Sequence, residues 1–90
     1  MNKQRRKNID AILLMIGPLQ EALETVAEAV ESIKDEEEEY KDGIPESFQS
    51  SERYAKAETA VGYLEEAKTT LDQVIADLET VVSNLGDAQD

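Results

Sequence analysis

The residues of this sequence that could do chemistry are almost all carboxylates. Of 90 residues, 21 are Asp or Glu and 9 are Lys or Arg, and neither Cys nor His occurs. Two carboxylates across a cleft can act as acid and base, but with 21 acids such pairs arise at any spacing by composition alone. Without His and Cys the chain lacks the usual general base, the thiol nucleophile and most zinc ligands. We therefore expect a protein that is not an enzyme, with no catalytic residues, no bound metal and no cofactor.

The densest charge is the run Asp35–Glu39, five consecutive carboxylates. Such a run is commonly a solvated helix end, yet five like charges near a helix C-terminus also oppose the helix dipole. We expect Arg53 and Lys56, on the opposing helix, to relieve this repulsion. The alternative is that the run binds a basic partner. The predicted electrostatic partner-binding residues are Asp35, Glu36, Glu38 and Glu39.

Charge is unevenly distributed along the chain. Lys3, Arg5, Arg6 and Lys7 make the start basic, so residues 8–90 hold 5 basic and 21 acidic side chains, a net charge of −16. Duplex DNA carries one charge per ~1.7 Å, about twice the density of this chain if it forms a rod. The acidic body therefore predicts attraction to a protein with a basic surface and no direct binding of nucleic acid.

The elements that carry these charges have a helical period. Apolar positions recur with alternating spacings of three and four residues, which indicates two long helices with a coiled-coil seam. The first column reads Ile9, Ile12, Ile16, Leu19, Leu23, Val26, Val30, Ile33, Glu37 and Tyr40. The second reads Tyr54, Ala57, Val61, Leu64, Lys68, Leu71, Ile75, Leu78, Val82 and Leu85.

Turn signals between the two columns set the boundaries of a single domain covering residues 1–90. We expect helix 1 over about 3–41, a turn over 42–51, helix 2 over about 52–85 and a short tail over 86–90. Gly43 suits a left-handed helix C-cap with Ile44 as its apolar contact, Ser50 or Ser51 suits an N-cap, and Gly86 suits a second C-cap.

The two columns match if the helices fold back on each other. Pairing residues whose numbers sum to 94 joins apolar residues in every layer except Val26 with Lys68 and Glu37 with Ala57. The fold class we predict is all-α, a long antiparallel helical hairpin. Gly17-Pro18 interrupts helix 1 without shifting the heptad phase, so we expect a kink at 17–18 and not a break.

One seam between two long helices leaves little interior, so we expect a second layer. Further apolar positions flank the seam, as in helices that contact more than one neighbour. We predict a homodimer that forms a four-helix bundle, or docking on another protein. The predicted apolar interface, concentrated at the end that holds the termini, consists of Leu13, Leu14, Met15, Val74 and Val81.

The basic start followed by the apolar stretch 9–16 has some features of a targeting signal. Asp10 interrupts that stretch and the periodicity continues in phase beyond it, so we expect the start of a mature helix. No run reaches the ~20 apolar residues of a membrane span. We expect a cytoplasmic protein that does not enter membranes.

The opening Met1–Lys7, the run Asp35–Tyr40 and the turn Ile44–Tyr54 together resemble a group of small acidic helical proteins of bacteriophages and prophages. Gly17-Pro18 departs from the uninterrupted first helix of that group. The group brings no functional residues with it, but the resemblance implies a protein that binds and inhibits a host protein, such as one that handles nucleic acid or acts in defence. The alternative function is a structural or assembly dimer whose acidic surface only confers solubility.

Overall fold

A computed structural model describes all 90 residues as two long helices joined by a short turn. Helix α1 spans Lys3–Asp42, a 3-10 turn spans Glu46–Phe48, and helix α2 spans Glu52–Ala88. Together they include 89% of the residues, and there are no strands. The helices lie antiparallel in a rod of 69 × 16 × 14 Å. The predicted all-α helical hairpin is confirmed.

Helix α1 runs unbroken through Gly17-Pro18. Its N-cap is Asn2, whose side-chain oxygen accepts a hydrogen bond of 2.8 Å from the backbone N–H of Arg5. Pro18 has no N–H to donate to the carbonyl one turn earlier, but its side chain is exposed, so solvent can satisfy that carbonyl. The expectation that the helix continues through this dipeptide is confirmed.

The C-terminus of α1 differs from the predicted left-handed cap. Gly43 has φ −77° and ψ −10°, ordinary right-handed geometry, and no glycine of the chain has a positive φ. The Gly43 N–H donates a hydrogen bond to the Glu39 carbonyl at 3.0 Å, and the Ile44 N–H donates to the Lys41 carbonyl at 3.1 Å. The reversal of chain direction is spread over the following residues and the 3-10 turn, so no residue needs the left-handed region. Ile44 is buried, as predicted.

Helix α2 begins at its predicted cap and ends later than predicted. The Ser51 hydroxyl accepts a hydrogen bond of 3.3 Å from the N–H of Tyr54. The helix continues through Gly86 to Ala88, so the expected end near 85 and the Gly86 cap are wrong. Contact with α1 accompanies this extension: the Gln89 side-chain amide donates to the Arg6 carbonyl at 3.2 Å and to the Asp10 carboxylate at 2.6 Å.

The α2 side of the seam is the one that periodicity predicts. All ten positions of the second column are buried or half-buried, and Ala57 and Val61 are the most enclosed.

The α1 side is rotated relative to the prediction. Every second residue of the first column, beginning with Ile9, faces α2. The alternate residues, beginning with Ile12, are exposed. The residues one position later lie in the seam instead: Leu13, Gln20, Ala27, Lys34 and Lys41. Because neighbouring positions on a helix differ by ~100°, the change turns the apolar column that starts at Ile12 onto one side of the hairpin.

Contacts at both ends fix the alignment of the helices close to the predicted register. Arg6 meets Gln89 at the end that holds the termini. Near the turn, the Arg53 guanidinium lies 6.0 Å from the centroid of the Tyr40 ring. The residue numbers of the two contacting pairs sum to 95 and 93, on either side of the predicted 94. A register slip of one heptad would change each sum by seven.

The hairpin has almost no interior. Six of 90 residues are buried, and all six are apolar. Neither helix contains a stretch apolar enough to cross a lipid bilayer.

Candidate protein-interaction surfaces

The seam divides the rest of the hairpin surface into two sides of opposite character. On one side, called here the polar side, Glu31 and Lys34 of α1 lie alongside Lys68 and Asp72 of α2. The other side, which carries the exposed column of α1, contains no ion pair along the apolar stretch 12–33. Antiparallel helices that share a seam bring like heptad positions together on each side, which accounts for this division.

Two lysines organise the polar side. Lys34 Nζ lies 3.3 Å from Asp35, 3.5 Å from Glu31 and 3.8 Å from Glu38. Lys68 Nζ lies 2.8 Å from an Asp72 carboxylate oxygen and 4.0 Å from Glu31 of the other helix. The hydrogen bond to Asp35 raises the pKa of Lys34, and that to Asp72 raises the pKa of Lys68. Each lysine rests its aliphatic stem in the seam while its ammonium group reaches carboxylates at the surface.

The acidic run does not form one patch. Consecutive residues point ~100° apart on a helix, so Asp35 and Glu38 turn toward Lys34 and pair with it. Glu36 and Glu39 lie three residues apart on a different part of the helix surface, are exposed, and make no ion pair. The four predicted partner-binding residues are therefore two pairs, one neutralised in part and one free.

The expected relief of the run by α2 is wrong. Arg53 lies over the Tyr40 ring, and Lys56 pairs with Glu52 of its own helix at 3.2 Å. Lys34, which belongs to α1 itself, takes the role that was assigned to them, because the rotation of α1 places it in the seam beside Glu31 and Asp35.

The side opposite the polar side is called here the uncharged face. Its large apolar members are 42–74% exposed. On α1 it consists of Ile12, Met15, Leu19, Ala22, Val26 and Ile33. On α2 it consists of Ala60, Ala67, Val74 and Val81.

Charged residues are absent from this face over about 32 Å, the length of 21 residues of helix. Along that stretch of α1 the charged residues occupy the other helix positions: Glu21, Glu24, Glu28 and Glu31. On α2, Asp77 borders the face on its solvent side. The register sets the stretch 60–81 of α2 beside the stretch 12–33 of α1, so the two helices contribute one continuous strip.

The predicted apolar interface residues do not all share one surface. Met15, Val74 and Val81 lie on the uncharged face. Leu13 is half-buried in the seam, where it serves the hairpin. Leu14 is 79% exposed and points away from the uncharged face. Three further residues of the face were not predicted as surface residues, because their heptad spacing placed them in the seam: Leu19, Val26 and Ile33.

The surface offers little for small-molecule chemistry. Its depressions are open to solvent and shallow, and they lie mainly along the exposed side of α2, for example between Thr59, Tyr63 and Glu66. No three carboxylates converge in a way that would hold a metal ion.

Comparison with protein families, with curated proteins and with solved structures found no match for this chain.

Proposed function

We propose that this protein is a non-enzymatic protein-binding module whose working surface is the uncharged face. One observation carries the proposal: α1 places Gln20 and Lys34 in the seam while Leu19 and Ile33, their neighbours, stand half-exposed. Exposing large apolar side chains while covering polar ones is unfavourable for an isolated hairpin. A protein partner that covers the face removes these apolar side chains from water, so the arrangement becomes favourable in the complex.

The shape of the face supports a protein partner. It is long, uncharged and bordered by carboxylates, the arrangement of an apolar interface with a polar rim. A helix or helical hairpin of another molecule fits such a strip, because its side chains interdigitate along the whole length.

Site-specific photo-crosslinking tests the proposal. A photoreactive amino acid at Ile33 samples the uncharged face, and the same group at Leu14, which is also apolar and is more exposed, samples another side of the same helix. We expect protein adducts from position 33 in bacterial cells that produce the chain, and few from position 14. Equal adduct yields at the two positions, or none at 33, would overturn the proposal.

A second candidate function rests on Glu36 and Glu39, which are exposed and unpaired at the turn end of the face. An acidic module with this end could occupy a basic surface on a host protein that handles nucleic acid or acts in defence, as the resemblance to phage proteins implies. Replacing both residues by Lys should then abolish binding of that partner. The matched double variant, Asp35→Lys with Glu38→Lys, tests in the same assay the two carboxylates that Lys34 already pairs with. In a structural or assembly module, neither exchange should affect function.

A further inference from the structure

We propose that the occupant of the uncharged face is a second copy of this chain, related by a two-fold axis that places the two turns at opposite ends of a four-helix bundle. This proposal rests on the proposed function, because it names the partner of the same face.

The α1 column is self-complementary about a single point. A two-fold axis between Leu19 and Val26 sets Leu19 against Val26 of the second copy and Ile12 against Ile33 of the second copy. Ala22, which lies close to the axis, has a small side chain that allows the helices to approach closely. Every layer of this column is then apolar in both copies, as an isologous interface requires.

The α2 column obeys the same axis. Pairing Ala67 with Val74 of the second copy, and Ala60 with Val81 of the second copy, places its centre between Ala67 and Val74. In the hairpin register this level lies within one residue of the midpoint between Leu19 and Val26. One axis therefore aligns both columns, because each repeats every seven residues and the hairpin register sets them side by side.

Charge decides between the two orientations that are open to a face-to-face dimer. Residues 34–59 at the turn end hold 9 acidic and 4 basic side chains, a net charge of −5, and the opposite end, residues 1–10 with 84–90, holds 4 basic and 3 acidic, a net charge of +1. Turns at the same end would bring two acidic ends together. Turns at opposite ends bring the basic start of each α1 alongside Glu36 and Glu39 of the other copy, although Asp87 and Asp90 lie nearby.

The same arrangement offsets an unfavourable feature of α1. Its first turn carries cations and its last turns carry the acidic run, and both signs oppose the helix dipole. When α1 stacks antiparallel on α1 of the second copy, each end meets the opposite charge.

The exposed area is sufficient for such a dimer. The chain exposes 6523 Å², whereas a folded monomer of its mass is expected to expose about 5,200 Å². The face, ~32 Å long and as wide as two helices of ~10 Å, offers ~600 Å² on each copy. Two such faces reach the lower bound of a stable interface, about 1,200 Å² in total.

Fluorescence energy transfer between singly labelled chains tests the orientation, and the absence of native Cys allows each label to be unique. We expect strong transfer from Gln49→Cys in the turn of one copy to Gln4→Cys in the other copy. Transfer between two Gln49→Cys chains should be weak, because opposite turns lie ~60–70 Å apart. The reverse result overturns the orientation.

Sedimentation of two matched variants tests the occupant. Val26→Glu places a charge close to the axis and should raise the dimer dissociation constant at least ~100-fold, while Leu14→Glu should leave it unchanged; circular dichroism checks that both remain helical. A chain that stays monomeric at about 100 μM, where even weak specific pairing would appear, overturns the dimer. If such a chain still gives adducts from position 33 in cells, the proposed function stands and only the identity of the partner falls.

Discussion

Ala27 lies in the seam, 4% exposed, while its neighbour Val26 is 47% exposed on the uncharged face. At this level α2 contributes Lys68, whose ammonium group reaches Glu31, one helical turn beyond Ala27. The Ala27 methyl group is small enough to leave space for the Lys68 stem, and a larger side chain at position 27 would fill that space. The pair Val26 and Ala27 therefore marks where α1 presents its small residue to α2 and its large one to the surface.

Enlarging Ala27 should destabilise the hairpin. We expect Ala27→Leu to lower the free energy of unfolding by about 1–3 kcal/mol, because the added atoms must displace packed neighbours. Ala76→Leu, on an exposed part of α2 away from the uncharged face, should change it by less than about 0.5 kcal/mol. Urea unfolding followed by circular dichroism at one protein concentration measures both. Equal effects would mean that the seam is not closed at Ala27.

Glycine replacements should separate an open helix position from a crowded one. A methyl group at Gly62 would meet nothing within 4 Å, whereas one at Gly43 would lie 3.3 Å from the Glu39 carbonyl oxygen. We expect Gly62→Ala to raise the free energy of unfolding by about 0.5–1 kcal/mol, and Gly43→Ala to gain less or to lose stability. Thermal unfolding of the two variants gives the comparison, and a larger gain at position 43 would contradict the geometry of the turn.

The N-cap of α2 should be sensitive to loss of a single oxygen. Ser51→Ala removes the acceptor for the N–H of Tyr54 and should cost about 1 kcal/mol of unfolding free energy. Ser50→Ala, one residue earlier in the same turn, should have little effect because Ser50 does not cap the helix. Chemical denaturation would distinguish them, and the assignment of the cap fails if position 50 is the more sensitive.

Alkaline pH should weaken the polar side. Hydrogen bonds to Asp35 and Asp72 raise the pKa of Lys34 and Lys68 above 10.5 in the folded chain. A raised pKa of a base means that its stabilising contribution is complete below pH 10.5 and is lost as the pH rises through the folded-state pKa. We expect the melting temperature of the native chain to fall more steeply between about pH 9 and about pH 12 than that of the double variant Lys34→Met with Lys68→Met. Parallel curves would indicate that the two ammonium groups contribute nothing.

Salt should distinguish the two candidate functions. Each chain carries a net charge of −12, so two copies repel each other in the dimer as well as on approach, and this outweighs the attraction between the basic starts and the acidic ends. Raising the salt concentration from about 0.05 M to about 0.5 M screens that repulsion and should tighten the homodimer. Binding of a basic partner through Glu36 and Glu39 should instead weaken over the same range. Sedimentation equilibrium for the dimer, and titration for any basic partner, measure the two slopes.

Several features of the fold follow from local sequence. Proline and glycine inside α1 did not break it, because the apolar period continues in phase on both sides of Gly17-Pro18. Ser51 is recognisable as a cap from its type and position. The seam of α2 is readable because its ten positions keep the alternating spacing of three and four residues throughout, and acidic residues border it on one side. The other border is apolar and belongs to the uncharged face.

The candidate face could be found only in part. Met15, Val74 and Val81 stand out as apolar residues beside a seam, but Leu14 has the same composition signal and points elsewhere. The acidic run likewise looks uniform in sequence, whereas the helix turns divide it into a pair held by Lys34 and a free pair. Gly43 and Gly86 were misassigned because a glycine near a helix end permits a left-handed cap without requiring one.

The sequence by itself determined two amphipathic helices, their antiparallel pairing and a register close to the observed one, because heptad spacing and turn residues are local properties. Only the tertiary structure decided which side of α1 faces α2. The column that starts at Ile9 adjoins one stripe through Ile12 and another through Leu13. Apolar periodicity favours the first, because the second contains Gln20 and Lys34, yet the second is the one that faces α2. That choice depends on what packs against each stripe, and it leaves the column of Ile12, Leu19, Val26 and Ile33 on the surface of the hairpin.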